Sequence, residues 1–239
     1  MNINLNEFVK KLLQEQEKKD ISLDVGLAYY LNNVKITKRP GTYTYYKNHL
    51  NYVIQDLHDR NIFYFSQVTN IVIDQIAAYY KDSGNCNATI NKKLYSFQIM
   101  TNYLLKEDLI SDPGYKYEKL KETQPATEIV ELEDLKVIVD WLHTQTNMKQ
   151  LIFKLMATTG VRRTELTRIK RKHIDLNNNC IFLDETKTGN SRYLYLTDEV
   201  KELIKTELAI KPIDNYFFVH LDGTRITTST IDSLFHQIE

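Results

Sequence analysis

The sequence predicts a mainly α-helical protein of two domains, the second carrying a small antiparallel sheet. Three observations lead there. Apolar residues recur at i, i+3, i+4 and i+7 in six separate stretches, the spacing of a helix that buries one side. Glycine (7) and proline (4) are scarce, which disfavours a turn-rich all-β fold. Only residues 180–196 switch clearly to β-rich runs around a turn.

Taken in order, residues 1–20 are amphipathic and charged and read as a leading helix or arm. The first stripe is Leu50, Val53, Ile54 and Leu57, with Thr42 after Pro40-Gly41 as the cap. Ile73, Ile76, Ala77 and Tyr80 form the second. Ile90, Leu94, Phe97, Met100 and Leu104 form a longer one, capped by Asn87 or Thr89 and ending near Lys106. Ser111-Asp112-Pro113-Gly114 breaks the pattern, so a helical domain spans 21–113. Residues 114–126 are charged and poor in apolar side chains, and they read as a linker. The second domain, 127–239, opens with Leu135, Ile138, Val139 and Leu142, then Leu151, Ile152, Leu155 and Met156. CIFLD (180–184) and SRYLYL (191–196) flank Gly189-Asn190 and predict a hairpin. Val200, Leu203, Ile204 and Leu208 make the last stripe, and a further short strand is expected at 215–221. Every stripe is expected to be core.

At 239 residues the chain is long enough to bury a core without staples. Cys86 and Cys180 lie far apart, and the six histidines are scattered, so neither a disulfide framework nor a metal site is expected. There is no apolar leader and no run of about 18 apolar residues, which predicts a cytoplasmic protein with no membrane segment. The net charge of zero hides opposed segments. Residues 161–173 carry six Lys/Arg against one Glu, and residues 35–47 carry four bases and no acid. Residues 174–239 carry six bases against eleven acids. A basic run is either a solvated face or a phosphate-binding surface. Two such runs beside helix starts, with tyrosines interleaved, favour phosphate.

The densest chemistry lies in ATTGVRRTELTRIKRKHIDL (157–176). A helix ends at Thr159-Gly160, and Arg162 falls at the bend into a second short helix. A forked guanidinium held there suits a phosphate or its transition state. Glu165, three residues on, shares that side of the helix and can orient a neighbouring arginine.

Thr159-Gly160-Val161-Arg162-x-x-Glu165-Leu166 resembles the signature of the tyrosine recombinases, the phage-integrase family. Ile169 and Asp175 continue the likeness. The resemblance implies that Arg162 is a catalytic arginine that grips the scissile phosphate, with Glu165 supporting it. Thr186-Lys187-Thr188-Gly189-Asn190-Ser191-Arg192 resembles the family's hairpin turn, which makes Lys187 the catalytic lysine, a proton donor to the leaving 5′-oxygen.

In the first domain, Thr42-x-x-x-Tyr46-x-x-x-Leu50, Thr89 to Phe97 and Asp112-Pro113 resemble the family's SAM-like core-binding domain. By position, Lys38, Arg39, Thr42, Tyr43, Lys47, Asn91, Lys92 and Lys93 become DNA-contact candidates. Arg163, Arg171, Lys172 and Arg192 join them from the second domain.

The likeness runs from about residue 21 to the end of the sequence, where the family's His-x-x-Arg motif and nucleophilic tyrosine are not found. DGTRITTSTIDSLFHQIE resembles the stretch that precedes His-x-x-Arg, so 127–239 is expected to be a partial catalytic domain, incomplete at its C-terminus. The family implies double-stranded DNA as partner, a homo-oligomer on that DNA, no small-molecule substrate, and no metal or nucleotide cofactor. Without the nucleophile, the expectation is binding without cleavage. The alternative is a non-catalytic DNA-binding module derived from the family.

Overall fold

The computed structural model describes residues 20–123, 129–184, 191–210 and 216–237. The chain divides into two compact units, residues 1–126 and 127–239.

The described part of the first unit is helical: α1 (Leu23–Thr37), α2 (Pro40–His58), α3 (Asn70–Asp82) and α4 (Asn87–Lys106), with a 3-10 turn at Phe65–Gln67. Ser22 caps α1, its hydroxyl accepting from the Val25 N–H. Thr69 does the same for α3 at Val72. The starts of α2 and α4 differ from the sequence expectation. Arg39 is the N-cap of α2 and Pro40 takes the first helical position, where its missing N–H costs nothing. Thr42 therefore lies inside the first turn. Cys86 caps α4, and its Sγ lies 3.3 Å from Thr89 Oγ1.

The predicted stripes close a core. Leu50, Val53, Leu57, Ile76, Ile90, Phe97, Met100 and Leu104 are all inaccessible to solvent. Phe65 stacks on Phe97 at 6.0 Å between ring centroids. Gly26 lets α1 approach this layer, because a Cβ there would lie 2.5 Å from the Phe65 ring and 2.8 Å from Leu104 Cδ1.

The segment expected as a linker from residue 114 is packed against this unit over its described part. Tyr115 and Tyr117 are buried in the first core. Tyr115 Oη is 2.6 Å from Thr101 Oγ1, and the Tyr117 N–H donates to Gln98 Oε1 at 2.9 Å. Composition misses this, because two tyrosines anchor an otherwise charged strap.

The second unit contains α5 (Leu132–His143), α6 (Asn147–Thr159), the one-turn α7 (Arg163–Leu166), α8 (Asp198–Ile210) and α9 (Thr228–Phe235). Its sheet is antiparallel in the order β1 (Ile174–Asp175), β2 (Cys180–Leu183), β3 (Arg192–Tyr195). Ile181 pairs with both Ile174 and Leu194, so β2 is central. The fold is thus mainly α with a small antiparallel sheet. Two details depart from expectation. The third strand is 174–175; residues 216–219 make only isolated bridges, Lys170 to Tyr216 and Val219 to Arg225. The α5 stripe is also less buried than its spacing implies. Leu142 is buried, but Leu135 and Val139 are exposed, because α5 packs against α6 chiefly near its C-terminal end. Among the described residues, no helix is long and apolar enough to cross a membrane.

Candidate functional site

The second unit builds its site at a helix break. Gly160 ends α6 in the left-handed conformation (φ 62°), a region that other residues enter at a cost. Two residues later Arg162 stands at the N-cap of α7 with extended backbone. Glu165, only 3% exposed, bonds to it twice. The Arg162 backbone N–H donates to Oε2 at 3.1 Å, and Arg162 Nη1 donates to Oε1 at 3.0 Å. A second guanidinium arrives from β3, where Arg192 Nη2 donates to Glu165 Oε2 at 2.8 Å. Burial by itself would raise the Glu165 pKa. The Arg162 N–H, the Arg162 guanidinium and the charge of Arg192 outweigh it and hold the carboxylate below its ordinary value. One buried negative charge thus organises two positive ones. The arginine side chains remain 51% and 37% exposed, so the cluster presents a net positive charge and free N–H donors to an anion.

In the same run, Arg163 and Arg171 have partners of their own. Arg163, expected as a DNA contact, forms an ion pair with Asp232. It joins α7 to α9. Arg171 Nη2 donates to the Leu208 carbonyl at 3.2 Å, and Lys172 is exposed. Lys187 lies outside the described residues, as does the turn that carries it.

In the first unit the candidates separate into two kinds. Lys38, Arg39 and Lys47 are exposed around the start of α2, and Thr42 and Tyr43 are half-buried. Tyr43 packs on the core. Lys92 is exposed on α4, and Lys93 lies 3.9 Å from the Tyr80 ring centroid and 5.0 Å from that of Tyr52. Asn91 is a correction. It is 3% exposed, its Oδ1 accepts from Tyr117 Oη at 2.7 Å and from the Leu120 N–H at 2.9 Å, and its Nδ2 donates to the Leu120 carbonyl and Glu122. All of its hydrogen-bonding capacity goes to holding the strap, and none is left for phosphate.

Sequence reasoning did not single out three other residues. His49 is half-buried on α2 with its ring edge-on to Tyr45, and the charges of Lys92 and Lys93 act on it. Arg225 Nε donates to the Thr167 carbonyl at 2.7 Å, and its guanidinium lies 4.5 Å from the Tyr216 ring centroid. His173 is buried, its Nδ1 accepting from the Lys170 N–H at 3.3 Å, and its Nε2 lies 3.3 Å from Asp184 Oδ2 without forming a hydrogen bond. A histidine inside a basic run was the one available signal. Among the described residues no group of acids, histidines and cysteines could hold a metal ion.

An arginine pair on a buried carboxylate, at a helix break beside a small antiparallel sheet, is the candidate anion-binding site of this two-unit helical protein. Residues 128–239 match the phage integrase family. Tyrosine recombinase XerA of Saccharolobus solfataricus is 38% identical over 69 residues, 29% of this chain and 24% of that protein. Tyrosine recombinase XerC of Actinobacillus succinogenes is 24% identical over 215 residues, 86% of this chain and 72% of that one. For XerC of Anoxybacillus flavithermus the match is 23% over 190 residues, 77% of this chain and 63% of that one. Among solved structures, a lambda integrase dimer bound to a COC' core site has the same fold, with a TM-score of 0.75 at 15% identity, covering 91% of this chain and 80% of that one. The Tn1549 transposon integrase in complex with a circular intermediate DNA gives 0.68 at 15% identity, covering 89% and 77%. By this match residues 128–239, the second unit, belong to the phage integrase family, and the relatives that align over most of the chain are tyrosine recombinases.

Proposed function

We propose that this chain binds double-stranded DNA of a recombination site, the first unit gripping the phosphate backbone and the second holding one phosphate at Arg162. The observation that carries this reading is the Arg162–Glu165–Arg192 cluster. A buried acid fixes two guanidiniums in place, and fixed donors are what a phosphate or a phosphorane-like transition state requires. Surface lysines at the start of α2 and on α4 supply the sequence-independent attraction. The relatives solved with DNA, some as dimers or tetramers, support DNA as the partner and a homo-oligomer as the working form.

In a complete tyrosine recombinase site, a tyrosine hydroxyl attacks the phosphate, a 3′-phosphotyrosine forms, and the 5′-oxygen leaves with a proton. Arg162 would neutralise the non-bridging oxygens, and Lys187 would donate the proton. Within these 239 residues the His-x-x-Arg motif and a tyrosine in the nucleophile's setting are not found, so they are expected to bind DNA without cleaving it. The test is a nicked suicide duplex incubated with the chain. The expected result is a shifted non-covalent complex that Arg162→Ala weakens, with no covalent adduct. A trapped adduct would contradict the non-cleaving reading, and no shift at low salt would contradict DNA binding itself.

A further inference from the structure

Helix α2 carries a second stripe beside the one it buries. Thr42, Tyr45, His49 and Tyr52 recur at three- and four-residue spacing, so they line one side of the helix. The Tyr45 ring meets the His49 ring edge-on, 4.4 Å between centroids. Helix α4 packs against α2 and brings Lys93 to this side, between the rings of Tyr52 and Tyr80, and the exposed Lys92 precedes it on α4. His49 is half-buried among these groups.

The charges acting on the imidazole come from the two α4 lysines, and no carboxylate is among them. From α1, Tyr30 meets Tyr46, and Asp24 meets His58 at the end of α2. Its own helix contributes the Tyr45 ring, and α3 contributes Tyr80, whose hydroxyl is bonded to Asp56. Desolvation, then Lys92, then Lys93 hold the imidazole below its ordinary 6.5. In the free protein it is neutral at neutral pH. An anion seated against the lysines reverses the sign of that field, since it offsets their repulsion and adds an attraction of its own.

We propose that His49 is a phosphate-contacting residue of the α2–α4 surface and takes up a proton when DNA binds. This rests on the DNA-binding reading above and adds a residue and a pH dependence to it. The neutral stripe is in this view a cation that appears only once phosphate is present. The sign follows directly. The bound form holds the proton more tightly, so affinity is highest below the free-state pKa and falls as pH rises through the bound-state pKa.

The experiment is fluorescence anisotropy of the 239-residue chain with a short labelled duplex of arbitrary sequence, from about pH 5.5 to pH 8 at constant salt. The wild-type chain should lose affinity with rising pH, by up to about tenfold per pH unit in the linked range. His49→Gln should remove that slope. His49→Asn, with melting curves for both variants, separates a contact from a folding defect. A wild-type affinity that ignores pH, or a slope that survives in both variants, overturns the proposal and leaves DNA binding standing. Absence of binding at every pH overturns both. The His49 imidazole should also titrate at higher pH in the complex than in the free chain by NMR, and an unchanged midpoint would overturn the proton uptake.

Discussion

The cations of the two units are held in different ways. On α2 and α4, Lys38, Lys47 and Lys92 are exposed, and Lys93 lies against tyrosine rings, with no buried acid to fix its ammonium. In the second unit, Arg162 and Arg192 converge on the buried Glu165. Long solvated side chains attract a polyanion from any direction and are screened by salt. A guanidinium fixed by a buried carboxylate has one geometry, which suits a single phosphate. In the proposed function, the first surface would supply affinity and the second position.

The comparison can be broken from either side, and the largest effect should come from the scaffold under the first surface. Gly26→Val drives a side chain into Phe65 and Leu104, both fully buried. The expected loss is about 3 kcal/mol, read as a lowered melting temperature. Asn91→Ala should cost about 2 kcal/mol, because the Leu120 N–H and Tyr117 Oη lose their acceptor. If Asn91→Ala instead weakened DNA binding at unchanged stability, Asn91 would be a contact after all.

Glu165→Ala should also cost about 2 kcal/mol and scatter the two arginines, lowering affinity for a single phosphate more than for long duplex. Its pH signature is distinct. The folded carboxylate titrates below its ordinary 4.5, so its stabilisation is present above that value and is lost as pH falls through the folded pKa. Urea midpoints for wild type and Glu165→Gln should therefore converge in acid, and a constant gap would contradict the assignment. The smallest stability effect belongs to Lys92→Ala, within about 0.5 kcal/mol of wild type. That variant should still reduce the salt slope of DNA binding by roughly one.

What the sequence shows depends on how local each feature is. The Thr159-Gly160 break, the position of Arg162 and the 180–196 hairpin follow from spacing and turn chemistry within a few residues. Glu165 could be placed near Arg162 because three residues separate them on one helix. Arg192 on the same carboxylate is 27 positions away, and no local pattern announces that contact. Asn91 shows the same limit. A polar residue near a helix start reads as solvent-facing until the strap of Tyr115 and Tyr117 is seen over it. The α5 stripe errs the other way, since periodicity defines an apolar side but not what covers it. The two-residue β1 carries too little sequence to be read as a strand.

The most direct test of the central claim is the salt dependence of duplex binding by the 239-residue chain. The prediction is a linear fall of log affinity against log salt concentration, with a slope near −0.9 for each phosphate neutralised. Arg162→Ala and Lys92→Ala should each make it shallower by about one unit. An affinity that does not change with salt would contradict the claim that these two surfaces bind the DNA backbone.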